Sequence, residues 1–167
     1  MATTGQIRVL DSVQGSSFLA SRAAMEVFKD HAPDVEAGRI ELIRERDSEY
    51  VVFTDRRKQL GVRSGTTVEL TSHELKVLAS DPSRTSVVDK LQGSSFLAIQ
   101  AAMEIFQRHK PDLVQYRIEV VRDGDFLVVL YTDKDRPVGA RGGGGRPGFE
   151  VALDPRDRHV VRSNFIR

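Results

Sequence analysis

The 167-residue chain contains no cysteine and no tryptophan. Without thiols it cannot form disulfides, thiolate zinc sites, iron–sulfur clusters or a cysteine nucleophile. Its charges nearly balance, with 25 Lys and Arg against 24 Asp and Glu and a formal net charge of +1. Because such a balance does not favour a polyanion, we expect neither nucleic acid nor a membrane as partner.

Long hydrophobic runs and targeting segments are also lacking. The N-terminal stretch "MATTGQIRVLDS" has neither the basic start nor the apolar centre of a signal peptide. No apolar run approaches the roughly 20 residues that span a bilayer. Hydrophobic residues make up 40% and charged residues 29% of the chain, which is typical of a folded globular protein. These features predict a cytoplasmic protein.

What the chain does contain is a long internal repeat. The letters "QGSSFLA" occur at 14–20 and again at 92–98. The whole stretch 13–55 aligns without a gap on 91–133, at a constant spacing of 78 residues. After that a shift of five residues places "TVEL" opposite "EVAL". We therefore predict two tandem α+β repeats: residues 1–82, and residues 83–167 with an inserted glycine-rich loop at 139–148.

Each repeat is predicted to begin with a helix, over 17–31 and over 95–109. A serine hydroxyl can accept from the free amides of a first helical turn, so the serines of "GSS" are candidate N-caps. Proline restricts the residue before it, so Pro33 and Pro111 mark where the helices end. The N-cap candidates are Ser16 or Ser17 in the first repeat and Ser94 or Ser95 in the second.

A series of antiparallel strands is predicted to follow each helix. In the first repeat these are "RIELIRE", "YVVFTD" and "TVELT", and in the second "RIEVVRD", "FLVVLYTD" and "FEVALD". The dipeptide "DG" at 123–124 is a strong hairpin signal. The turn "DPRD" at 154–157 introduces a fourth strand, "HVVRSNFI". Each repeat is thus predicted to be one helix on a three- to four-stranded antiparallel sheet, with the two repeats related by a pseudo-twofold axis.

The order of these elements resembles the cystatin-like, or nuclear-transport-factor-like, α+β roll. It is similar to bacterial immunity-type proteins and to peptidase-propeptide (PepSY) modules, in which a helix precedes strands and a glycine-containing loop leads to a final hairpin. The resemblance implies a fold and carries no site residues. The cystatin protease-binding motif "Q-x-V-x-G" is absent, because "VQG" and "LQG" precede helices.

Two histidine–aspartate pairs are the pocket candidates. His31 and Asp34 occur at the end of the first predicted helix, and His109 and Asp112 at the matching place in the second. A histidine there can also simply interact with the last helical carbonyls. We expect no catalytic, cofactor-binding or metal-binding residues, and the alternative of a small-molecule or enzymatic site requires both members of a pair to lie in a concave pocket.

The sequence "GARGGGGRPG" at 139–148 is the candidate binding loop. It lacks the Lys-Ser/Thr end of a Walker loop. We expect a long connection, and a protein partner that contacts either a sheet face or this region, through Arg141, Arg146 and Phe149. The favoured function is a non-catalytic protein-binding or inhibitory module, of immunity or protease-inhibitor type. The alternatives are a small-molecule-binding or enzymatic roll and a structural assembly protein, and a homodimer is an alternative to pairing within the chain.

Overall fold

A computed structural model describes residues 7–135 and 147–166. The fold is α+β with two antiparallel sheets, of four and five strands. The helices are α1 (Gly15–Phe28), α2 (Ser72–Ser80) and α3 (Gly93–Phe106), with short 3-10 turns at Lys29–His31, Gln107–His109 and Leu113–Gln115. The strands are β1 (Arg8–Gln14), β2 (Arg39–Glu45), β3 (Ser48–Thr54), β4 (Gln59–Arg63), β5 (Thr85–Gln92), β6 (Tyr116–Asp123), β7 (Phe126–Asp133), β8 (Gly148–Leu153) and β9 (Val160–Ile166).

The chain forms two compact units. The four-stranded unit comprises residues 16–94, and its sheet has the strand order β4-β3-β2-β5. The five-stranded unit comprises the described residues of 1–15 and 95–167, with the strand order β1-β6-β7-β8-β9. The units therefore do not consist of two consecutive halves of the chain.

The difference arises because two strands each pair in a sheet other than that of the unit containing most of the helix that follows them. β1 immediately precedes α1, yet it pairs antiparallel with β6 in the five-stranded sheet, with Val13 opposite Ile118. β5 immediately precedes α3, yet it pairs with β2 in the four-stranded sheet, with Leu91 opposite Ile40. Neither strand was predicted from the sequence, because the partner of each lies far away along the chain.

The repeated "QG" marks the point where β1 leads into α1 and where β5 leads into α3. A Cβ atom added to Gly15 would lie 1.9 Å from the carbonyl oxygen of Leu113, and one added to Gly93 would lie 1.6 Å from that of Val35. The Gly93 amide also donates to the Gly38 carbonyl at 2.8 Å. Only a residue without a side chain permits such a close backbone approach.

The predicted serine caps are therefore wrong. α1 and α3 begin at the glycines, one residue before "SS", so the serines lie inside the first turn. Ser17 and Ser95 are buried there, and the Ser17 carbonyl accepts from the Ser21 hydroxyl at 2.8 Å. The helices themselves are confirmed, with α-helical bounds of 15–28 and 93–106 that continue as 3-10 turns to 31 and 109.

The third strand of the first half was placed wrongly. It is β4, which pairs with β3, whereas "TVELT" contributes a single bridge between Glu69 and Val62. Val62 and Val151 are 89 residues apart, and they pair with Val51 and Val129, which are 78 apart. The register therefore shifts by 11 residues, not the predicted five. The strands of the second half, including β8 and β9, lie where they were predicted.

The segment after β4 forms α2, which the sequence analysis missed. The Thr71 hydroxyl accepts from the Glu74 amide, and the Glu74 carboxylate accepts from the Thr71 amide, each at 3.1 Å. This reciprocal capping box fixes the start of the helix. Leu75 packs over Gly61 of β4, where an added Cβ would lie 2.7 Å from its side chain. Of the helices in the described residues, none is long and apolar enough to cross a membrane.

Candidate functional site

The first predicted pocket pair, His31 and Asp34, does not form a hydrogen bond between its side chains. The His31 ring nitrogen Nε2 lies 2.6 Å from Glu69 Oε1, on the protein surface. The backbone amide of Asp34 donates to Asp55 Oδ2 at 3.0 Å, and Asp34 Oδ1 accepts from the Ala37 amide at 3.4 Å. Both side chains are thus engaged by other groups in exposed loops, and a pocket role for this pair remains a prediction.

Asp55 organises the loop that contains these groups. Its carboxylate accepts from the backbone amides of Arg57, Lys58 and Asp34. These hydrogen bonds, that from Arg57 first, hold the pKa of Asp55 below its ordinary value. The repeated "TD" of the sequence is therefore a turn-forming element in the first half.

The second predicted pair is also separated. The His109 ring contacts two phenylalanines, with centroids 4.7 Å from Phe165 and 5.0 Å from Phe149. Asp112 is exposed and precedes the 3-10 turn at Leu113–Gln115 without a side-chain capping bond. His109 thus belongs to an aromatic cluster, and its pocket role remains a prediction as well.

The predicted binding loop lies mostly outside the described residues, and Arg141 and Arg146 are among those not described. Phe149 is described, in β8, with 2% of its surface exposed. Its ring stacks on Phe106 of α3 at a centroid distance of 5.2 Å. Contact between Phe149 and a partner therefore remains a prediction about a side chain that is buried in this structure.

An aromatic cluster connects the centre of the five-stranded unit to its surface. Phe106 stacks on Tyr131 at 4.0 Å, and burial raises the pKa of Tyr131. From Phe106 the contacts continue through Phe149 to Phe165, whose centroids are 5.0 Å apart. Phe165 lies on β9 and is 51% exposed. The cluster thus holds a large apolar ring in place at the surface.

A small pocket lies between α2 and the sheet of the four-stranded unit. Its volume is about 170 Å³, and its lining residues include Tyr50, Glu45 and Glu74. Glu74 already caps α2, so only one of the two carboxylates is without a hydrogen bond. Sequence reasoning missed this pocket, although "TSHE" is the signature of the capping box that creates one of its walls.

Three potential metal ligands meet in the turn between β8 and β9. Side-chain ligand atoms of Asp154, Asp157 and His159 all lie within 4.8 Å of one another. Asp157 Oδ1 is 2.5 Å from His159 Nδ1, and Asp154 Oδ1 accepts from the Arg156 amide at 2.8 Å. Hydrogen bonds from the Arg156 guanidinium first, and then from the Arg156 amide, lower the pKa of Asp154. These bonds stabilise the predicted "DPRD" turn, which connects β8 to β9.

The edges of the two sheets differ in how they are protected. β4 is covered by the segment after it, since the Leu70 amide donates to the Gly61 carbonyl at 2.8 Å. β1 and β5 each contain a bulge, at Leu10 and Val88, and both continue with an aspartate. Bulges and charges of this kind discourage pairing with another chain.

β9 is the fourth edge. It also contains a bulge, at Val161, but no carboxylate follows that bulge. Its inner side pairs with β8 from Gly148–Ile166 to Leu153–Val160, and nothing in 7–135 or 147–166 pairs with its outer side. Its one ionisable residue is Arg162, whose guanidinium lies 5.7 Å from the centroid of Phe126. Val161 is 45% and Phe165 51% exposed. β9 therefore combines unpaired backbone groups with an exposed apolar surface.

No family model, no curated protein and no solved structure matches this chain.

Proposed function

We propose that this chain is a non-catalytic protein-binding module that adds an extended segment of its partner to the outer edge of β9. The observation that carries the proposal is the open edge of β9 beside the exposed ring of Phe165. In strand addition, main-chain hydrogen bonds supply affinity and side-chain contacts supply specificity. An inhibitory role of the immunity or protease-inhibitor type would follow if the partner is an enzyme.

The aromatic cluster supports a recognition role for Phe165. A surface ring that is already packed against Phe149 and His109 loses little conformational freedom when it binds. Aromatic side chains are also enriched among the residues that dominate binding energies. We expect the bound segment to place an apolar side chain beside Phe165.

The finer architecture belongs to the same proposal. We infer two copies of one cystatin-like unit whose first strands have been exchanged. The supporting observations are the starts of α1 and α3, and the bulges at Leu10 and Val88, each pair separated by the 78 residues of the sequence repeat.

The test compares two lysine substitutions at exposed apolar edge positions. Phe165→Lys places a charge on β9, and Val87→Lys places one on β5, where the native valine is 53% exposed. The full-length variants are used to capture proteins from a lysate of the source organism, and a captured protein is then titrated in purified form. We expect Phe165→Lys to weaken its binding at least tenfold and Val87→Lys to leave it unchanged. Equal binding by both variants would contradict the proposal.

A further inference from the structure

We infer that the segment that pairs with β9 is β9 of a second copy of this chain, so that two five-stranded sheets join edge to edge. This inference rests on the proposed function, because it names the partner of the same edge.

β9 is complementary to itself when two copies run antiparallel about a twofold axis at Ser163. In that register Arg162 faces Asn164, and the bulged residue Val161 lies beside Phe165 of the second copy. Pairs of an aromatic and a β-branched residue stabilise neighbouring strands, whereas like charges directly opposite destabilise them. The register opposes no like charges, and it covers the two most exposed apolar side chains of the strand.

The other two open edges, β1 and β5, are not complementary to themselves about a twofold axis. A twofold axis at the centre of β1 places Asp11 opposite the Asp11 of the second copy. A twofold axis at the centre of β5 places Val87 opposite Lys90 and Val88 opposite Asp89, which buries charge against apolar side chains. Self-pairing is thus favoured by the composition of β9 and disfavoured by that of β1 and β5.

The geometry of the joined sheets follows from the twofold symmetry. A closed twofold contact uses the same surface on both copies and leaves no further edge of that kind free. A contact made mainly by one seven-residue strand is smaller than a standard interface. We therefore expect a dissociation constant of about 10–100 µM, which corresponds to a dimer that forms only at high local concentration.

The absence of cysteine makes a direct test of the register available. Ser163→Cys places two thiols opposite each other across the axis, at the separation of directly paired residues. Asn164→Cys lies on the same strand but faces Arg162 in the second copy. Ser86→Cys on β5 is the matched control, because it replaces an exposed serine on another sheet edge. Each full-length variant is oxidised mildly at about 100 µM, and the covalent dimer is quantified over time.

We expect Ser163→Cys to cross-link at least tenfold faster than both other variants, and wild-type protein to sediment as a concentration-dependent dimer. The inference is overturned if Ser163→Cys cross-links no faster than Ser86→Cys, if Asn164→Cys is the fastest, or if the wild type stays monomeric up to about 1 mM. A monomeric protein whose lysate partner is lost in Phe165→Lys would overturn self-pairing and leave the proposed function intact. If Phe165→Lys retains both dimerisation and binding of the lysate partner, that result contradicts self-pairing and the proposed function alike.

Discussion

Replacing Gly93 by alanine tests the explanation given for the repeated "QG". Helix propensity alone predicts that Gly93→Ala stabilises the protein, because alanine at a helical position is favoured by about 1 kcal/mol. The structure predicts the opposite sign. The new Cβ would lie 1.6 Å from the Val35 carbonyl oxygen, where an ordinary carbon–oxygen contact is about 3.3 Å.

The size of the effect follows from what must move. The crowding atoms belong to the backbone, so the two segments have to separate by about 1.5 Å, and inserting an atom into a packed site costs about 1–3 kcal/mol. The separation also breaks the 2.8 Å hydrogen bond from the Gly93 amide to the Gly38 carbonyl, which contributes about 1 kcal/mol. After the gain of about 1 kcal/mol in helix propensity is subtracted, we expect the free energy of unfolding to fall by about 2 kcal/mol.

Urea unfolding of Gly93→Ala and of Gly15→Ala measures the change in the free energy of unfolding at both strand-to-helix junctions. Gly124→Ala is the control, since a Cβ there meets nothing within 4 Å and the cost comes only from its φ of +59°. That cost is about 1–2 kcal/mol. Gly93→Ala with unchanged or increased stability would refute the close backbone approach as the reason for the repeated glycine.

Three further outcomes are expected. Phe106→Ala should lower the free energy of unfolding by about 3–5 kcal/mol in urea titration, because it removes the centre of the aromatic cluster. Phe165→Ala, at the surface, should lower it by less than about 1.5 kcal/mol. Equal losses in the two variants would contradict the assigned packing. Thr71→Ala should cost about 1 kcal/mol by removing the capping box of α2, and Thr71→Ser should retain most of the stability in the same assay. The pKa of Asp55 is lowered in the folded protein. The contribution of this carboxylate to stability is therefore complete at pH values above its ordinary pKa of about 3.9, and it is lost as the pH falls through the pKa of the folded protein. Melting temperatures from pH 6 to about pH 2.5 should therefore fall less steeply in Asp55→Asn than in the wild type, and parallel curves would count against the turn role.

The local elements could be predicted from the sequence, but their partners could not. Pro33, Pro111 and the "DG" turn at 123–124 are signals that act over a few residues, and the helices and the second-half hairpins followed from them. The capping box at Thr71 is an equally local signal that was overlooked. By contrast, β4 was misplaced because its Gly61 reads as a loop residue, although the side chains of Leu75 and Leu70 pack closely over it in the fold.

The candidate site was harder to predict for the same reason. An open edge is a property of the whole sheet, and "HVVRSNFI" looks like any other strand until its neighbours are known. The histidines attracted attention as chemically active residues, yet His109 packs against phenylalanines and His31 contacts Glu69. Spacing along the chain placed each histidine beside an aspartate, whereas the fold gave each a different neighbour.

The pairing of β1 and β5 bears on what each half of the chain could do alone. A fragment of residues 84–167 carries β5, but its own sheet requires a strand in the place of β1. The sequence of β5 resembles β1 in length, bulge and the terminal "QG", so a second copy of the fragment can supply the missing strand. Half of this protein is therefore expected to fold as a homodimer in which each copy supplies the first strand of the other copy's sheet.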